Sequence, residues 1–157
     1  MNVSSEYSIK NRSTGKEYGV KMNRLAGSCL CGEVRYQFLE DIKVFQYCHC
    51  SRCRKFTGSA HAANIIIDPE YFQWLSGENS IGRFELPEAR HFATSFCKKC
   101  GSSLPWLTKS GKAYVIPAGT LDQAPSIKPM HNIYYADRAE WYEDVCKLTR
   151  YDELPIK

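Results

Sequence analysis

Seven of the chain's eight cysteines fall in three tight groups: Cys29-Leu30-Cys31, Cys48-His49-Cys50-Ser51-Arg52-Cys53 and Cys97-Lys98-Lys99-Cys100-Gly101. Spacings this short let sulfurs converge on one ion while the backbone between them turns. Thiolates are soft ligands, and zinc takes them tetrahedrally at about 2.3 Å. Gly32 and Gly101 follow two of the groups, where a tight loop calls for the left-handed backbone that glycine adopts freely. A structural zinc closes with four ligands, whereas a catalytic one leaves a position open. Seven sulfurs divide as four plus three. Cys29, Cys31, Cys97 and Cys100 are expected to hold a structural zinc. Cys48, Cys50 and Cys53 are expected to hold a second zinc from one local loop, and to be the catalytic residues through its open position. That fourth position is open to water, a substrate thiol or His49. His49 lies between two ligands, and its side chain is expected to point away.

Rival readings of the same residues exist. Eight cysteines could make four disulfides, although a disulfide within Cys-x-Cys would be strained. A single zinc would leave the trio as an empty redox or resolving group. Cys146 stands apart near Trp141 and Tyr142, and is expected to be a small buried apolar residue rather than a ligand.

The elements that must position these groups are mostly strands. Val34, Tyr36 and Phe38 alternate with polar residues, the period of a half-buried strand. Ala60 to Ile67, His91 to Phe96 (with Phe92, Thr94 and Phe96 on one face), Ala113 to Ile116 and Asn132 to Tyr135 complete the set. Turns are signalled by Gly77, Gly82, Pro87, Gly111, Gly119 and Pro125. The best helix candidate is Ala136 to Val145. The expected fold is a mainly β single domain over residues 25–157, preceded by a basic, flexible leader over residues 1–24.

A chain of 157 residues with 43% hydrophobic and 13% aromatic content is globular and long enough to bury a core. No apolar run is long enough to span a bilayer, so no membrane partner is expected, and a cytoplasmic location, where thiols stay reduced, is the default. The net charge of +4 sits mainly in the leader, where Lys10, Arg12, Lys16, Lys21 and Arg24 face only Glu6 and Glu17. A nucleic-acid footprint should be a basic face on the fold itself, so nucleic acid is not the expected partner.

The motifs resemble those of the glutathione-dependent formaldehyde-activating enzyme family, also called the centromere protein V family. The resemblance rests on Gly27-Ser28-Cys29-Leu30-Cys31-Gly32-Glu33-Val34-Arg35-Tyr36, on Cys48 to Lys55 with Gly58-Ser59, and on Phe96-Cys97-Lys98-Lys99-Cys100-Gly101-Ser102. Weaker echoes lie at Gly119-Thr120-Leu121-Asp122, Pro129 to Ile133 and Trp141. The resemblance implies a β-tent fold and two zinc ions per chain, the second at or beside the active site and open to being labile. It also implies carbon–sulfur lyase or synthase chemistry of the S-(hydroxymethyl)glutathione synthase kind, with a small thiol such as glutathione and an aldehyde as partners.

Zinc with three thiolates carries a formal charge of −1 and is a weaker Lewis acid than zinc with three histidines. It is better suited to exchanging a fourth sulfur than to making hydroxide. A thiol held there would be deprotonated at neutral pH and could attack an aldehyde carbon. Arg52, Arg54 and Lys55 flank the trio and are candidate substrate contacts, because guanidinium groups bind carboxylates in a fork; they could equally be solvated charge. Lys98 and Lys99 are expected to offset the four-cysteine site. His61, His91 and His131 are possible proton carriers but read more readily as structural. Trp74, Trp106 and Trp141 are expected to pack on the sheet. The deaminase pattern, His-x-Glu with Pro-Cys-x-x-Cys, is absent. The alternative function is a non-catalytic, zinc-scaffolded binding module for protein or nucleic acid; a third is a thiol redox sensor.

Overall fold

Buried residues alternate with less buried ones in stretches such as Arg24–Ser28 and Arg35–Leu39, and these two stretches pair as antiparallel strands. A computed structural model describes residues 5–10 and 17–155. It contains strands β1 (Ser5–Lys10), β2 (Glu17–Met22), β3 (Arg24–Ser28), β4 (Arg35–Leu39) and β5 (Val44–Cys48), followed by helix α1 (Ser51–Thr57). Then come β6 (Ala62–Ile67), β7 (Phe72–Ser76), β8 (Ile81–Glu85) and β9 (Ala93–Cys97). Four short strands finish the fold: β10 (Ser103–Leu104), β11 (Trp106–Leu107), β12 (Tyr114–Pro117) and β13 (His131–Ile133). The fold is mainly β, and no helix among the described residues is long and apolar enough to cross a membrane.

The strands form a sheet of order β3-β4-β7, a larger one of order β11-β12-β6-β5-β13, and a third of order β10-β9-β8. The core lies between the first two. Tyr36, Phe38, Ile65, Ile67 and Ile116 are fully buried there, with Leu25 and Phe45 beside them. Each large apolar side chain so buried stabilises the fold by about 1.5–3 kcal/mol before entropy is counted. The buried Tyr36 hydroxyl is satisfied by Thr120 Oγ1 at 2.7 Å, and burial pushes its pKa up. The β5–β13 pair is parallel and sets Ile133 opposite Cys48.

Several expectations change. The Ala136 to Val145 stretch is not an α-helix; short 3-10 turns form at Tyr135–Asp137 and Val145–Lys147 instead. Apart from Ala139 and the half-buried Tyr142, its side chains with described burial are exposed, so it has no apolar face to bury. The α-helix sits where none was expected, on the cysteine trio. Cys50 caps it by accepting from Cys53 N, and Gly58 ends it in the left-handed conformation with its N–H on Arg54 O.

In β9 it is Ala93, Thr94, Ser95 and Cys97 that are buried, while Phe96 faces outward. Phe96 lies across the β8–β9 pair over Gly82, where a Cβ would come within 2.4 Å of its ring. Gly82 is therefore a mid-strand gap for an aromatic ring and not a turn. Residues 1–24 were expected to hold no element, yet β1 and β2 pair antiparallel there, from Ser5 opposite Met22 to Lys10 opposite Glu17. Arg24 opens β3 and belongs to the main fold. Arg12 and Lys16 of the basic leader lie outside the described residues.

Candidate metal centres and active-site cavity

Two tight turns build the first centre. After β3, Gly32 N donates to Cys29 O and Cys29 N to Val34 O, at 2.9 and 3.0 Å. After β9, Gly101 N donates to Cys97 O at 2.8 Å and Cys97 N to Ser102 O at 2.9 Å. Gly32 and Gly101 both take positive φ, 72° and 75°, as their positions suggested. The turns face each other. Cys29 Sγ lies 3.5 Å from Cys31 Sγ, which lies 3.9 Å from Cys97 Sγ, and all four sulfurs including that of Cys100 fall within 4.8 Å of one another. Sulfurs at the corners of a tetrahedron with bonds of about 2.3 Å stand about 3.8 Å apart, so the four donors fit an ion of that kind. Cys29 and Cys97 are buried and Cys31 is exposed. Lys99 reaches Glu33 at 2.7 Å and is held protonated first by that carboxylate, then by the charge of Cys31 and Cys97. Lys98 instead donates to Asn79 O at 3.2 Å.

The second centre is local. Cys48 ends β5, Cys50 caps α1 and Cys53 lies in its first turn. Cys48 Sγ and Cys50 Sγ are 3.6 Å apart, and all three sulfurs lie within 4.8 Å of one another. His49 points the other way, as expected. It is fully buried, its Nε2 sits 2.9 Å from Asn132 Oδ1, and its ring packs among His61, Tyr135 and Tyr142. His49 N donates to Ile133 O at 3.0 Å, so β13 fixes the loop from behind.

The sulfurs within each cluster compete for charge. A hydrogen bond from Cys53, aided by the Cys50 backbone N–H, brings the Cys48 thiol down to about 6 despite burial. Cys53 is pushed up in return, by Cys48 first and by burial. In the other cluster the Ser102 hydroxyl and N–H hold Cys100 at about 5. The Glu33 N–H favours a Cys31 thiolate, yet the sulfur of Cys29, burial and the remaining sulfurs outweigh it and raise Cys31 to about 12. Neither cluster can hold all its sulfurs ionised without a cation among them. Metal binding therefore displaces protons, and affinity falls as pH falls. Below about pH 6 Cys48 also binds a proton, so the trio's affinity should drop more steeply there. Competition with a chromophoric chelator across this range measures it, and a flat profile would refute the account.

The trio opens onto a cavity of about 540 Å³. Its walls combine apolar Phe92, Trp106 and Ile133 with Arg52, Arg90 and Tyr134. Of the candidate substrate contacts, only Arg52 reaches this wall. Arg54 turns back to donate from Nε to His49 O at 3.2 Å, and Lys55 is exposed outside the cavity. His91 is on the wall, whereas His131 meets Gln46 at 3.1 Å and His61 packs at a tilt against Tyr47. Trp74 packs on Tyr36 and Phe72, and Trp106 on Phe92, but Trp141 is exposed, against expectation. Cys146 is exposed too, so it is not a buried apolar residue. Both lie in the 138–155 stretch, which lacks a sheet to pack against. Arg90 and Tyr134 carry no sequence signal; loops far apart along the chain bring them to the trio.

The family model for the glutathione-dependent formaldehyde-activating enzyme matches residues 24–137. A Halomonas elongata protein named "Putative glutathione-dependent formaldehyde-activating enzyme" is 35% identical over 88 residues, which are 51% of this chain and 54% of that protein. The chain thus matches about half the length of this curated relative. In fold, the structure resembles a crystal structure of a Rhodobacter sphaeroides protein, with a TM-score of 0.51 and 21% identity over 68% of this chain and 98% of that one. With both cysteine clusters formed inside or on the matched span, this chain belongs to the glutathione-dependent formaldehyde-activating enzyme family.

Proposed function

We propose that the chain is a two-zinc enzyme that joins a thiol such as glutathione to an aldehyde such as formaldehyde, or cleaves the adduct as a carbon–sulfur lyase, in the cytoplasm. The observation that carries this is the contrast between the centres. Four sulfurs close the first, while three sulfurs leave the second incomplete where a cavity meets it. On this reading Cys29, Cys31, Cys97 and Cys100 serve structure, and Cys48, Cys50 and Cys53 serve the reaction. Zinc, when bound, would supply a fourth position that lowers the pKa of a substrate thiol. Arg52 and Arg90 offer the carboxylates of a glutathione-like thiol two guanidinium groups on the cavity wall. Phe92 and Trp106 give that side of the cavity an apolar wall. The working domain begins with Arg24 at the start of β3, one residue before the expected boundary at 25, and the basic leader that precedes it stands outside the chemistry.

Cobalt substitution tests the proposal. Glutathione added to the cobalt-loaded protein should shift the visible absorption of one cobalt of the two, because a new sulfur joins three. A spectrum indifferent to thiol would exclude a thiol-accepting second centre and favour a closed scaffold.

A further inference from the structure

Left-handed backbone is a glycine conformation at five described positions, Gly32, Gly58, Gly77, Gly101 and Gly111. Among the described residues, the one with a side chain that shares it is Tyr134, at φ 52 and ψ 38. An L-residue incurs a steric cost there that glycine does not. Such strain persists where the surroundings impose it, and it concentrates at functional sites.

The turn itself does not require a tyrosine. Its hydrogen bond runs from Asp137 N to Tyr134 O at 3.0 Å, which is backbone alone and would survive in glycine. Packing does not require it either, because the side chain is 61% exposed. The position explains it better. Ile133 pairs with Cys48 at the end of the parallel β5–β13 ladder, so the next residue emerges at the trio. Tyr134 lines the same cavity as Cys48, Cys50 and Cys53.

We infer that Tyr134 is a further catalytic residue, whose phenol donates a hydrogen bond to the aldehyde oxygen as sulfur adds to the carbon. The inference rests on the thiol–aldehyde reaction proposed above. In that step the thiol proton leaves to solvent and the sulfur electron pair forms the S–C bond. The carbonyl π pair moves onto oxygen, facing the Tyr134 hydroxyl, and the oxygen then takes a proton from solvent. Thiol and aldehyde become a hemithioacetal, with nothing oxidised or reduced. A donor aimed at the oxygen where charge develops acts in the transition state more than in the bound state.

The experiment uses the full-length zinc-loaded protein with Tyr134→Phe and Tyr134→Gly. Exchange between ¹³C-formaldehyde and its glutathione adduct is followed by NMR, alongside melting curves and glutathione titration of the cobalt-loaded forms. Both variants should lose about 100-fold in exchange rate at unchanged thiol affinity, and the glycine variant should melt no lower than wild type. If wild type accelerates exchange and Tyr134→Phe does so equally, Tyr134 is not catalytic and the thiol–aldehyde reading stands. If both variants lose rate only in step with a fall in melting temperature, the residue is structural and the inference fails. If wild type binds glutathione at cobalt yet leaves exchange at the uncatalysed rate, both readings fall together.

Discussion

Cys97→Ser is expected to leave a chain that cannot hold its fold, with far-UV circular dichroism and thermal melting both losing their cooperative signal. Cys97 is fully inaccessible and ends β9, while its partner Cys29 follows β3 in a different sheet. Their cluster, with Val34 and Leu104, is a small core of its own beside the main one. Little else in that small core could replace the cross-link. A structural zinc site contributes about 10–16 kcal/mol of apparent binding energy at neutral pH in small zinc domains. That is comparable with the whole stability of a domain this size, about 5–15 kcal/mol. Serine brings a harder and weaker ligand into a buried position and leaves three sulfurs without a shared cation. A strong chelator applied to the wild type should reproduce the loss once this centre is stripped. A Cys97→Ser protein that melts like wild type would show that the four sulfurs are not the staple.

The same exchange in the second centre should do the opposite. Cys50→Ser is expected to keep the fold, halve the metal content from two ions to one and cut turnover by about 10³-fold or more, since a metal's charge stabilisation is worth several kcal/mol. The fold survives for a local reason. Cys50 caps α1 through a 3.5 Å contact to Cys53 N, and a serine hydroxyl is a better cap for the same N–H. The helix therefore stays while the soft ligand goes. Elemental analysis, melting and an adduct-exchange assay on one preparation decide the matter. Loss of fold, or retention of two metals with full activity, would contradict the division of labour between the centres.

The two cysteine clusters were legible because each group is local: two or three sulfurs within a few residues must converge whatever the fold does. Strands β4, β6 and β12 were legible through their alternation or their isoleucine run. The cavity was not. Its walls come from Arg52 on α1, Arg90 before β9, Trp106 in β11 and Tyr134 after β13, and only the sheet order places these together. Helix α1 is not legible in the sequence because seven residues are too few to show a helical period, and its buried residue is a cysteine. The opposite error, a helix over Ala136 to Val145, came from good helix formers in a stretch with nothing to pack against. Arg54 shows the limit of proximity in sequence: one residue from a ligand, it turns its guanidinium to the loop's own carbonyl.

Cys31 stands in solvent while Cys29 and Cys97, its neighbours in the same cluster, are sealed. Equilibrium stability is set by all four sulfurs together, but lifetime is set by the one that a reagent can reach. Peroxide oxidising a thiolate at that tip, or a chelator displacing it first, would open the closed centre one ligand at a time. With a metal held there, the survival of this centre under oxidative stress would be a question of how fast its one exposed sulfur is attacked, and a half-life would describe it better than a melting temperature.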